Sequence, residues 1–309
     1  MYWLRARVAR RISNNQGDKA MQIVTDTGMD MHLPPELMPD VPIHIVPHII
    51  TLDGKSYRSG EEIQADELQK MLMKTSSFPV TSQPSAGDFA EAYRKLAVKD
   101  PDILSIQMSS GLSGTYNAAF AGAAMVPEAN ITVVDTKTLC AAQGWIVAAA
   151  GRAIKAGWSV DRILALIKRV GDATEEAYTL DELKYLIHGG RISHMKGLLA
   201  SILKIRPLIG VEKVGGTYAQ LGMARTFEKA LQGLVDHMLK FHKPGSTLRV
   251  QVLHSYNQAG VEALRELIAP VFNCIWMPIH YMSPVLAAHT GPSMVGVAFG
   301  AASEYEDLP

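Results

Sequence analysis

The chain has 309 residues, 48% apolar and 19% charged, with thirty basic and thirty acidic residues and no formal net charge. That composition excludes a disordered chain, and the absence of a cationic surplus argues against nucleic acid as a partner. The two cysteines, Cys140 and Cys274, lie far apart in apolar surroundings, as buried thiols of a reducing cytoplasm do. No uncharged apolar run reaches the roughly eighteen residues of a spanning helix.

Residues 1–20 carry Arg5, Arg7, Arg10 and Arg11 before the first acid, Asp18. They read as a basic, flexible N-terminal extension ahead of the fold, although a transit helix has the same composition. From Met21, short β-rich runs alternate with helical stretches. "MQIVTD" and "VPIHIVPHII" predict two strands, "EEIQADELQKMLMK" and "SAGDFAEAYRKLA" two helices, and "DILSIQMSS" and "ITVVD" two buried strands. Helices are predicted from about Thr138 to Ala156 and from about Val160 to Val170. This alternation predicts βαβ units with a mainly parallel sheet over residues 21–173.

The pattern then changes. "IRPLIGVEKVGGTYAQLGMA" predicts an antiparallel hairpin about Gly215-Gly216. A helix ("TFEKALQGLVDHMLKFH"), a strand ("TLRVQVLHS"), another helix ("QAGVEALRELIA") and a final strand ("CIWMPIHYM") follow. Residues 174–309 therefore read as a second α/β domain with a mixed sheet, whose C-terminal segment is expected to return toward the ligand cleft. "EYEDLP" reads as a solvated tail. In open α/β sheets, ligands sit beyond the carboxyl ends of the strands. The hydroxyl- and acid-bearing turns "TDTGMD", "SSGLSGT" and "DTKT" are expected there, converging on one crevice.

"SSGLSGTY" places Ser109, Ser110, Ser113 and Thr115 around Gly111 and Gly114. The glycines permit close ligand approach, and the following helix start favours an anion. One hydroxyl suffices for a helix cap, so the excess points to binding. "FPVTSQPSAGDF" is similar: Ser85 with Asp88 fits a capping box, leaving Thr81, Ser82 and Gln83 unexplained. "AAHTGPS" offers His289 and Thr290, and "HGGRIS" offers Arg191 to an anion or a partner. There is no G-x-G-x-x-G, no phosphate loop and no H-E-x-x-H, and His237 and His242 are poorly spaced for a metal. No metal or cofactor is expected. "GLSGT" misses the nucleophile elbow because Thr115 stands in place of the second glycine. The rival enzymatic reading is an acyl hydrolase with Ser113 as nucleophile and His289 as base.

In order, "IVTDTGMDMHLPPEL", "VPIHIVPHIITLDGKSYRSGEEI", "FPVTSQPSAGDFAEAY", "SSGLSGTYNAA", "ITVVDTKT", "LDELKYLIHGGRIS", "LLASILKIRPLIG" and "HTGPSMVG" resemble the DegV family of bacterial fatty-acid-binding proteins. The resemblance runs from about Ile23 to Gly296. It implies two α/β domains with a long-chain fatty acid, palmitate for example, buried between them. It implies a carboxylate held by Thr81, Ser113 and His289, with Ser82, Gln83, Ser110, Gly114 and Thr290 supporting. It also implies a non-catalytic carrier that presents its acid to a separate fatty-acid kinase, which makes acyl phosphate for phospholipid synthesis. Arg225, and Arg191 beside it in expectation, would dock the kinase, and transient contact with a membrane surface is compatible with that role. Ser59 departs from the family where many members have Asp, and Ser293 where glycine is usual. A carrier of another lipid acid or small anion is the third reading.

Burying methylenes releases roughly 0.8 kcal/mol each, so a sixteen-carbon tail grosses about 10 kcal/mol before ordering costs. A hydroxyl contact to a carboxylate contributes about 1.5–3 kcal/mol. The tail is expected to dominate affinity, adaptable methionines such as those of "MLMK" to line its channel, and the hydroxyls to fix orientation. Lys and Arg are missing from both hydroxyl loops, so the expected head-group donors are neutral. Neutral donors leave the acid oxygen nucleophilic.

Overall fold

The computed structural model describes residues 5–7, 21–31, 33–192, 195 and 205–307. Of the basic segment 1–20, only residues 5–7 are among them. They form β1 (Arg5–Arg7), paired antiparallel with Thr132, Val133 and Val134. The rest of that segment, and "LLASILK" of the family resemblance, lie outside the described residues.

The first half supplies β2 (Gln22–Asp26), β3 (Ile43–Val46), β4 (Ile49–Leu52), β5 (Lys55–Arg58), α1 (Ala65–Leu72), β6 (Val80–Ser82), α2 (Ala86–Ala97), β7 (Asp102–Gln107), α3 (Thr115–Ala124) and β8 (Asn130–Asp135). Strand order β1-β8-β7-β2-β3 makes a five-stranded sheet, parallel except for β1. Its strands alternate between two cores, as a strand period of two requires. Val24, Ile103 and Ile131 meet Phe89 and Tyr93 of α2 and Tyr116 of α3, while Ile23, Leu104 and Val134 face the opposite way. The predicted capping box starts α2: Ser85 Oγ accepts from Asp88 N at 3.1 Å, and Asp88 Oδ2 accepts from Ser85 N at 2.7 Å.

The run "VPIHIVPHII" is two strands, not one. Pro47, which lacks an N–H donor, and His48 break it, so β3 stays in the first sheet while β4 joins an antiparallel β5-β4-β6 sheet. The second half continues with α4 (Cys140–Lys155), α5 (Val160–Ala173), β9 (Glu175–Thr179), α6 (Lys184–His188), β10 (Arg206–Val211), β11 (Tyr218–Ala224), α7 (Phe227–Met238), β12 (Thr247–His254), α8 (Gln258–Ile268), β13 (Asn273–Trp276), β14 (His280–Tyr281), α9 (Pro284–Thr290) and β15 (Val295–Ala301). A mixed sheet runs β11-β10-β9-β15-β12-β13, with β14 also on β12. The predicted hairpin is β10–β11, and Gly216 at its tip takes φ of 70°.

α7 and α8 cover one face of the mixed sheet through Leu234, Leu264, Val250 and Val297. α4 and α5 cover the other and share one core with the inner face of the first sheet. Every residue of α4 except Arg152 and Lys155 is buried. Gln143 reaches Asp26 of the first sheet at 3.3 Å, and Trp145 Nε1 donates to Gln251 Oε1 of the mixed sheet at 2.8 Å. This helix is the mortar between the sheets. The "EYEDLP" tail is only partly solvated, because Tyr305 is buried edge-on against Trp145 at 5.3 Å.

Candidate functional site

Three turns leave the carboxyl ends of β2, β7 and β8, and the three serines of the turn after β7 have three different tasks. Ser109 is buried and donates to the Gly216 carbonyl at 2.7 Å. Gly111 lies so close to the same tip that a Cβ there would sit 2.4 Å from the Gly215 oxygen. The loop thereby holds the hairpin of the mixed sheet. Ser110 turns toward the "DTKT" turn: its Oγ accepts from Lys137 Nζ at 2.9 Å, and its N–H donates to Asp135 at 3.1 Å. Ser113 turns toward the helix start, with Oγ 2.7 Å from Thr115 Oγ1.

Thr115 continues that contact inward. Its Oγ1 lies 2.9 Å from His48 Nε2, and His48 Nδ1 lies 3.0 Å from Thr27 Oγ1 in the turn after β2. The small antiparallel sheet places His48 here, because it stands next to Ile49, which pairs with Ser82 of β6. The same sheet presents Thr81, whose Oγ1 lies 2.8 Å from His289 Nε2 in the last turn of α9. Gln83 joins the two loops, packing so closely on Gly114 that a Cβ there would overlap its amide. The "TSQPS" and "SSGLSGT" loops are therefore adjacent; the turn "DTKT" touches the second of them directly, and "TDTGMD" reaches it through His48.

Burial sets the charge of this cluster. It lowers His48 to about 4, helped by the nearby Arg191 guanidinium. His289 falls to about 3, from burial first and then from Arg191 and His48. Both imidazoles are neutral at physiological pH and each carries one N–H. Arg191 donates to the Gly189 carbonyl at 2.5 Å, and a Cβ on Gly189 would sit 2.2 Å from His289 Nδ1. Arg191 thus sits beside the histidine pair and not on a remote face. Arg225 is exposed in the turn after β11.

Among the remaining predicted residues, Ser82 is exposed on β6. Thr290 is buried, and its hydroxyl bonds back to the Leu286 carbonyl at 3.3 Å. It lines an apolar seam between the sheets, with Leu139, Tyr178, Leu186, Ile209 and Leu286 among its walls and about 10 Å³ of free volume. Ser59 is fully buried, its Oγ accepting from Val285 N at 3.3 Å. Ser293 Oγ accepts from Asp181 N at 2.9 Å. His289 Nε2 lies against Thr81 Oγ1 and Ser113 Oγ against Thr115 Oγ1.

A second buried polar cluster lies at the other end of α9. Asp30 accepts from Ser283 N and from the Cys140 thiol, both at 2.9 Å, and burial raises it to about 7. Glu176, also raised to about 7 by burial, accepts from Ala142 N at 2.8 Å and Thr138 Oγ1 at 3.1 Å. Sequence reasoning missed both this cluster and His48. The one signal for His48 was a Pro-His step interrupting an apolar run.

Fold and site together define a class: α/β proteins with two large sheets and a small antiparallel one, whose hydroxyl-bearing loops meet a neutral imidazole pair beside an apolar seam. The model of the DegV family, described as an uncharacterised protein family, matches residues 20–302, and the chain belongs to that family. A DegV domain-containing protein of Deinococcus radiodurans is 33% identical over 276 residues, covering 89% of this chain and 94% of that protein. A fatty-acid-binding DegV family protein from Thermus thermophilus shares 28% identity and superposes with a TM-score of 0.80, over 91% of this chain and 99% of that one. Thermotoga maritima protein TM841, described as revealing fatty acid binding function, is 27% identical with a TM-score of 0.76, over 92% and 99% of the two chains. No helix among the described residues is long and apolar enough to cross a membrane.

Proposed function

We propose that this chain binds one long-chain fatty acid, its carboxylate at Thr81, Ser113 and His289 and its tail in the apolar seam. It would act as a carrier and not as an enzyme. One observation carries the reading: α9 presents His289 to the hydroxyl loops and Leu286 to the seam. A ligand with a small acidic head and an apolar body fits that adjacency. The fatty-acid binding described for the Thermus and Thermotoga proteins supports it.

The head group would be held by neutral donors, since both histidines are uncharged and Lys137 is engaged by Asp135 at 2.8 Å and by Ser110. A carboxylate so held keeps its nucleophilic oxygen, which suits presentation to a kinase that forms acyl phosphate in the cytoplasm. Arg225, exposed, is the docking residue in this reading, whereas Arg191 stands behind the two histidines and donates to the Gly189 carbonyl. With about 10 Å³ free, the seam holds about one water molecule, so the tail enters by parting its walls. Met282, flexible and polarizable, is the side chain best able to yield.

The test is mass spectrometry of lipid extracted from the purified protein, followed by retention of added palmitate. One long-chain acid per chain is expected; a protein that retains none overturns the reading. A serine-reactive fluorophosphonate should leave Ser113 unlabelled, because a histidine pushed to about 3 is too weak a base to activate it. Stoichiometric labelling at Ser113 would favour the hydrolase.

A further inference from the structure

His48 is absent from the fatty-acid site that the family resemblance implies, yet both nitrogens of its ring are held beside that site. Its backbone N–H donates to Thr27 Oγ1 at 3.1 Å, and its carbonyl accepts from Ser59 N at 2.8 Å. Its ring spans Thr27 and Thr115, at 3.0 and 2.9 Å. Three unbroken contacts therefore join Thr27, His48, Thr115 and Ser113.

A neutral imidazole has one donor and one acceptor nitrogen, so this row has two possible directions. In the first, Thr27 O–H donates to Nδ1, Nε2–H donates to Thr115, Thr115 O–H donates to Ser113, and the Ser113 proton is left to point outward. In the second, Ser113 spends its proton on Thr115 and Nδ1–H donates to Thr27. Ser113 then faces the ligand with lone pairs alone. Only the first direction suits a carboxylate. It also suits the Thr115 N–H, which already donates to Ser113 Oγ at 3.3 Å and leaves that oxygen rich in donors.

We propose that His48 is a positioning residue: held as the Nε2–H tautomer, it orients the row Thr27–His48–Thr115–Ser113 so that Ser113 donates its proton to the bound carboxylate. This inference rests on the carrier reading above. Burial keeps His48 neutral, with Arg191 and His289 the charged and titratable groups that face it. Thr115, which touches no ligand in this scheme, becomes the link that transmits the orientation.

The experiment uses the full chain, labelled with ¹⁵N-histidine and loaded with palmitate carrying ¹³C at its carboxyl. The expected nitrogen spectrum shows His48 Nε2 protonated and Nδ1 as the acceptor at pH 7; Nδ1 protonated in the loaded protein overturns the proposal. His48→Leu should weaken palmitate binding about 5- to 10-fold and shift the carboxyl carbon resonance. The double variant His48→Leu, Ser113→Ala should bind no more weakly than Ser113→Ala alone. Additive losses, or an unchanged carboxyl resonance, overturn it. Should His48→Leu fail to fold, the tautomer of the wild-type protein decides. Wild-type protein that retains no palmitate would instead defeat the carrier reading.

Discussion

The two ends of α9 solve opposite electrostatic problems with the same means. At its start, Asp30 is buried and raised to about 7; at its finish, His289 is buried and lowered to about 3. An acid is driven toward holding its proton and a base toward releasing it. The difference teaches that at both ends of this helix charge is set by desolvation first, with hydrogen bonds second at Asp30 and the neighbouring Arg191 second at His289. It also explains why the head-group site proposed here would offer an acid neutral partners from Thr81, Ser113 and His289.

The opposite signs give opposite pH behaviour. An acid with a raised folded pKa binds its proton more tightly in the native state, so its contribution is greatest at low pH. That contribution falls as pH climbs from about 4 through about 7. Asp30→Asn, which mimics the protonated acid, should gain stability over wild type by about 2–3 kcal/mol more at pH 8 than at pH 5. Thermal and urea unfolding at the two pH values check it. Palmitate binding should stay within about 2-fold. A variant equally destabilised at both pH values would break the comparison.

A histidine with a lowered folded pKa works the other way. Its contribution is complete above about 6.5 and is lost as pH falls toward about 3, because the unfolded chain then binds the proton more tightly. His289→Gln should shrink the stability lost between pH 6.5 and 4.5 by about 2 kcal/mol. Unfolding curves at half-unit pH steps measure this. A variant as acid-sensitive as wild type would remove His289 from the account.

Why α9 has these two ends was only half written in the sequence. The β10–β11 hairpin and the Ser85 cap were legible because each depends on neighbouring residues: a positive-φ glycine in one and a three-residue spacing in the other. The hydroxyl loops were legible because their hydroxyls exceed what a cap requires. The break at Pro47-His48 was not, since the apolar pattern runs on through both strands and the partner that fixes His48, Thr27, lies 21 residues away. The Asp30–Cys140 contact spans 110 residues and left no local trace. Ser110 and Thr290 looked like site residues by composition. Only the fold shows that Lys137 and the Leu286 carbonyl occupy their hydroxyls.

Two hydroxyl substitutions sharpen the contrast at the head-group end, the larger first. Thr81→Val keeps the shape but removes a donor to the acid and the partner of His289 Nε2. Palmitate affinity should fall roughly 10-fold, in line with about 1.5 kcal/mol for a hydrogen bond to a charged group, as read by displacement of a fluorescent fatty acid.

Ser110→Ala tests whether hydroxyl count or hydroxyl direction matters. Ser110 sits three residues from Ser113 in the same loop, but its oxygen faces Lys137 and its N–H faces Asp135. If direction governs, affinity changes less than about 2-fold, because the Ser110 hydroxyl contacts Lys137 and none of the proposed ligand-binding side chains. Lys137 retains its ion pair with Asp135, so the loop keeps its anchor. If the loop binds simply as a cloud of hydroxyls, Ser110→Ala and Ser113→Ala would lose affinity equally. That equality would dissolve the distinction between hydroxyls that brace the fold and those that meet the ligand.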